Sequence, residues 1–144
     1  MKDDHSIEKQ ISHHAVAIIS LAIALLALFY STWRNETTEH NYNTRAAAFE
    51  VLLNLGQLQV IVNALHYDSE SPLGNPVLGW GHVALVSDLS ELLPEPVPSR
   101  AKILADQWSK DWKKLKDDEG LTQEVSLSID ETRASILKVL KSLY

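Results

Sequence analysis

The chain has 144 residues, no cysteine, and 19 acidic against 13 basic side chains, for a formal net charge of −6. Disulfides, thiolate catalysis and cysteine-based zinc sites are therefore excluded. The acidic surplus is spread along the chain, so it offers no basic face for nucleic acid and no polybasic patch for a membrane surface.

Residues 1–14 form a polar N-terminal tail with Lys2 and Lys9. From 11 to 33 there is no Asp, Glu, Lys or Arg, and 15–30 reads AVAIISLAIALLALFY, with Ser20 its only clearly polar residue. As a helix, 15–33 rises about 28 Å, close to the hydrocarbon thickness of a bilayer, and predicts one transmembrane helix. Tyr30 and Trp33 fall where aromatic rings favour the membrane–water interface, and Arg34 follows directly. The rival is a cleaved signal peptide. The run is longer than a usual signal core and no small-x-small site follows it, which favours a retained signal-anchor. Lys2 and Lys9 before the span balance Arg34 and Arg45 after it, and the free α-amino group tips the N-terminus towards the cytoplasm. The expected location is the cell membrane, single-pass, with residues 34–144 outside the cytoplasm.

Past the span the helix is expected to continue over 34–66 through a polar neck at 35–44. Ala48, Val51, Leu55, Leu58, Val62 and Leu65 recur in steps of three and four, the seam of a bundle or coiled-coil helix. Phe49, Leu52 and Val60 are expected to widen that same buried face. Pro72, Gly74 and Pro76 mark a loop. A second helix is expected over 80–93 with Val83, Val86, Leu89 and Leu93 inward. Pro94, Pro96 and Pro98 read as a stiff extended connector. A third helix over 98–119 buries Ala101, Leu104, Trp108 and Leu115, with Gly120 as its stop. A fourth over 121–143 turns Val125, Ile129, Thr132, Ile136, Val139 and Leu143 inward. The predicted fold is all-α: a single N-terminal transmembrane helix running into a small antiparallel bundle of about four helices.

No phosphate loop, nucleophile elbow or His-Glu-x-x-His pattern occurs, so the chain is not expected to be an enzyme and implies no cofactor. His66, Asp68 and His82 flank the loop after the long helix. Two imidazoles and a carboxylate at the membrane-distal tip are a candidate metal set; the plainer reading is that they finish a helix and tie down a loop. Trp80 and Trp112 are candidate contact residues, because tryptophan is enriched both in cores and at binding hot spots. Gly56, with Ala46, Ala47 and Ala48, leaves room for a partner helix. The layout resembles the front end of bacterial chemoreceptors and sensor kinases with four-helix sensing domains, in arrangement alone and with no shared motif. The expected partners are a lipid bilayer and either another protein or further copies of the chain. The expected function is an interaction or accessory subunit of a membrane complex, or a self-associating anchor. The alternative is a sensor-like bundle binding a small ligand or metal at its distal tip.

Overall fold

The computed structural model describes residues 4–68 and 70–143, with side chains from His14 onward. Every regular element among them is helical: α1 (Asp4–Tyr67), α2 (Pro76–Ser90), α3 (Val97–Asp111) and α4 (Glu119–Ser142). The chain divides into two compact units, Met1–His40 and Asn41–Tyr144.

The first unit is helical from Asp4, so the described part of the polar tail belongs to α1; residues 1–3 lie outside the described residues. From His14 to His40 every side chain is exposed. One helix here is long and apolar enough to cross a membrane. In the polar neck Thr37 Oγ1 donates to Trp33 O (3.0 Å) and Thr38 Oγ1 to Arg34 O (2.9 Å). Each hydroxyl is satisfied one turn back instead of competing for the helix's own amides.

The second unit is an antiparallel four-helix bundle built from the end of α1 and all of α2, α3 and α4. Contacts fix the order. Asn54 on α1 meets His82 on α2, Gly79 on α2 lies against Trp108 on α3, and Arg100 on α3 pairs with Glu131 on α4. Gln59 on α1 donates to Ser126 on α4, and Arg45 donates to Leu143 O (2.8 Å). The predicted α1 seam from Ala48 to Leu65 is buried throughout. It meets Val83, Val86 and Leu93, then Ala101, Leu104, Trp108 and Leu115, then Val125, Ile129, Ile136 and Val139 in one core. The non-directional gain from that burial outweighs anything propensity supplies to helices of 15 residues.

Several boundaries differ from expectation, each for a local reason. α2 starts at Pro76, four residues early, because Asn75 caps it: its Oδ1 accepts from Val77 N (2.9 Å). The proline-rich connector is a compact turn rather than an extended one. Val97 N donates back to Pro94 O (3.2 Å), and the Glu95–Pro96 bond is cis. α3 stops at Asp111, and 112–117 continue as turns that still bury Leu115. Gly120 does not end a helix. It lies in the first turn of α4, which Asp118 caps by accepting from Leu121 N (3.1 Å). Asp118→Ala is accordingly expected to cost about 1 kcal/mol of bundle stability, measurable as a lowered urea midpoint at unchanged slope.

Phe49 and Val60 correct the sequence reading most. They are exposed and do not widen the buried seam; Leu52 alone of the three packs against the core.

Candidate interaction face

The residues proposed for a metal set do not come together. His66 Nδ1 donates to Leu115 O (3.2 Å), so it docks the α3–α4 connection onto the end of α1. Leu115 O also accepts from Thr122 Oγ1 (2.9 Å). His82 Nδ1 donates to Asn54 Oδ1 (2.9 Å), while Asn54 Nδ2 donates to Glu50 O (2.8 Å). Asn54 precedes His66 by twelve positions on the same helix, about 18 Å of rise, and that displacement separates the two imidazoles. Asp68 is exposed just past the end of α1. Among the described residues no group of three or more His, Cys, Asp or Glu side chains is placed to hold a metal ion.

The tryptophans sort by depth. Trp108 is fully buried. Trp80 and Trp112 meet edge to face at 6.5 Å, with Trp112 half-buried, Trp80 at 39 % exposure and Lys113 Nζ 5.2 Å from the Trp112 ring. Trp112 packs against the core, and Trp80, the outer ring of the pair, is open to solvent. Tyr30 and Trp33 lie 6.4 Å apart in the first unit, with Arg34 next to them, where the sequence places a membrane boundary. A Cβ built on Gly56 meets nothing within 4 Å, so this glycine opens onto free space.

That open position lies on a surface the sequence reading missed. Opposite the buried seam of α1, Tyr42, Phe49, Leu53, Val60 and Tyr67 are exposed at 71, 61, 60, 45 and 71 %. Next to it, α2 exposes Val77, Leu78 and Leu85, and Leu92 follows just after the helix. No Lys or Arg occurs anywhere in 46–99. α2 is apolar nearly all round, more than a single core-facing stripe requires. The α3–α4 side has the opposite character. A shallow groove there of about 300 Å³ is lined by Ile103, Asp106, Gln107, Lys110, Asp111 and Glu124. The Lys and Arg residues that follow Arg45 thus all lie at 100–141, on α3, α4 and their connection, where Ile103 and Leu127 are exposed among them. The signal was present in the chain: 42, 46, 49, 53, 56, 60, 63 and 67 follow alternating steps of four and three, a second heptad stripe on the same helix.

Comparison of the chain with known protein families, with curated proteins and with solved structures finds no match.

Proposed function

We propose that the chain is a single-pass membrane-anchored interaction protein, held in a bilayer by 15–33 and binding partners through the apolar α1–α2 side of its bundle. The observation that carries the anchoring is that this run is exposed on every face, with none of it buried by the rest of the chain. Apolar surface of that extent is stable in hydrocarbon and costly in water. The uncovered α1–α2 side, with no Lys or Arg over 46–99, supports the interaction role, since isolated soluble bundles seldom leave so large an apolar stripe in solvent. In this proposal the bundle lies on the side opposite the cytoplasm, an orientation that Lys2 and Lys9 against Arg34 and Arg45 leave to the labelling test.

The absence of cysteine makes a direct test available. Single cysteines replacing Ser6 and Ser142 are placed in the full chain and intact cells are treated with a membrane-impermeant thiol reagent. The expected result is labelling at 142 and not at 6, with a 16.1 kDa chain retained in alkaline-washed membranes. Labelling at 6 alone reverses the orientation and makes the bundle a cytoplasmic docking domain. A shortened chain in the soluble fraction replaces the anchor with a cleaved signal.

A further inference from the structure

We infer that the occupant of the exposed α1 stripe is a second copy of this chain, paired in parallel and in register over 42–67. The inference rests on the membrane-anchoring reading above in one respect: copies anchored by the same span enter the bilayer with the same orientation, so their α1 helices run parallel. All the stripe residues lie within the second compact unit, which defines the surface without reference to the span.

Four observations select a second copy. The first is periodicity. With Ala46, Leu53, Val60 and Tyr67 at one core position of the heptad, the alternate core positions are Tyr42, Phe49, Gly56 and Asn63. A two-fold axis along such a stripe sets each residue against its own counterpart, so the surface is complementary to itself. The second is close approach. A Cβ at Gly56 meets nothing in the protomer, and with Gly56 facing its own counterpart the two helix backbones can come together there.

The third is area. Aromatic residues carry about 150–250 Å² each. At the exposures given above, three aromatics, a leucine and a valine present roughly 500 Å² per copy, so two copies together remove roughly 1,000 Å² from water, the size at which specific interfaces begin. The fourth is polarity. A stripe lying on lipid headgroups takes several flanking Lys or Arg; 42–67 holds a single one, Arg45, and its Nη2 donates to Leu143 O (2.8 Å) on the bundle. Within the stripe the one polar core residue is Asn63, whose Oδ1 accepts from Gln59 Nε2 (2.9 Å). A single amide in an apolar seam favours one register, because any slip leaves it facing hydrocarbon.

The test uses the full chain in membranes. Single cysteines replace Leu53 and Val60 on the stripe, with Gln123 and Lys138 on α4 as controls, and a short thiol-to-thiol reagent is added. The expected result is a covalent dimer at 53 and at 60 and none at 123 or 138. Phe49→Glu combined with Leu53→Glu is expected to abolish the dimer and bring the protein mass in micelles down to one protomer. Both side chains are exposed in the protomer, so the thermal midpoint of the bundle diluted to the monomer should not move. Equal cross-linking at 53 and 123 overturns the assignment, as does a one-protomer mass for the unmodified chain. Preferential cross-linking of a cysteine at 46 to one at 67 overturns the parallel register. A chain retained in membranes but monomeric removes this inference and leaves the anchoring reading standing with a different partner, whereas release from membranes removes the anchoring reading itself.

Discussion

Trp108→Ala is expected to lower the stability of the bundle by about 3–5 kcal/mol, the range for deleting a fully buried large aromatic ring. Domains of this size are stable by about 5–15 kcal/mol, so the loss is a large fraction of the total, and the thermal midpoint should fall by more than about 10 °C. Trp108→Phe is expected to cost much less. It removes ring volume, but it also removes an indole Nε1–H that has no acceptor within reach among the described residues, and a buried donor in that state costs about 1–3 kcal/mol. Gly79 supplies the second half of the argument. A Cβ there would lie 2.3 Å from Trp108 Cζ2 and 2.5 Å from Cη2. Helix propensity alone favours Ala over Gly by about 1 kcal/mol. Overpacking against a ring buried on all sides costs about 1–3 kcal/mol, so Gly79→Ala should be net destabilising. In the Trp108→Phe background the same substitution should become neutral or stabilising. That reversal, read from four urea melts as a double-mutant cycle, separates a steric clash from any effect of the glycine on the backbone.

The same pair shows where the sequence was legible and where it was not. The buried seams of α1, α3 and α4 are regular at the helical period, and each predicted inward position from Ala48 to Leu65 and from Val125 to Val139 is buried. Helix count and antiparallel order follow from seams and loop signals that act over a few residues. The sequence places the start of α2 four residues late because Pro72, Gly74 and Pro76 read as loop, which leaves Gly79 outside the expected helix. Gly79 is in fact helical, and is small because a ring from another helix occupies the space where its side chain would be. No local rule reports that. Gly120 was misread for a different reason. Glycine after a charged stretch suggests a helix end, but Asp118, an N-cap, stands two residues before it and governs the geometry.

The candidate site was less legible than the fold, for two separate reasons. Whether His66 and His82 meet depends on how far α2 slides along α1, and that register is set by packing across the core rather than by the loop between them. It puts His82 beside Asn54, well short of His66. The apolar stripe from Tyr42 to Tyr67 was readable in principle. The sequence reading puts two of its members, Phe49 and Val60, on the core face because α1 carries two apolar stripes, and periodicity alone does not say which one is covered. The exposures of Phe49 and Leu53 decide it.

Replacing Leu21 and Leu25 together by arginine is expected to abolish membrane retention, and the magnitudes explain why two substitutions are needed. Between 15 and 33 lie nine strongly apolar residues: Val16, Ile18, Ile19, Leu21, Ile23, Leu25, Leu26, Leu28 and Phe29. Each favours insertion by about 0.3–0.6 kcal/mol, which together gives roughly 3–5 kcal/mol. One arginine near the centre costs about 2.5–3.5 kcal/mol and also removes a leucine's contribution. Leu25→Arg alone therefore leaves insertion near balance, and a partly retained protein is expected, since the long side chain carries its charge towards the interface. Two arginines cost about 5–7 kcal/mol, more than the remaining apolar residues supply. Leu21→Ala with Leu25→Ala should leave retention largely intact, because alanine adds no charge. The bundle lies in the other compact unit, so the double-arginine chain recovered from the soluble fraction should melt at the unmodified bundle's midpoint. Retention of the double-arginine chain at the unmodified level, against an alkaline wash, would mean that 15–33 is not in hydrocarbon. The exposed apolar run would then need a protein groove to cover it, and the α1 stripe would lose the parallel constraint that a shared bilayer imposes.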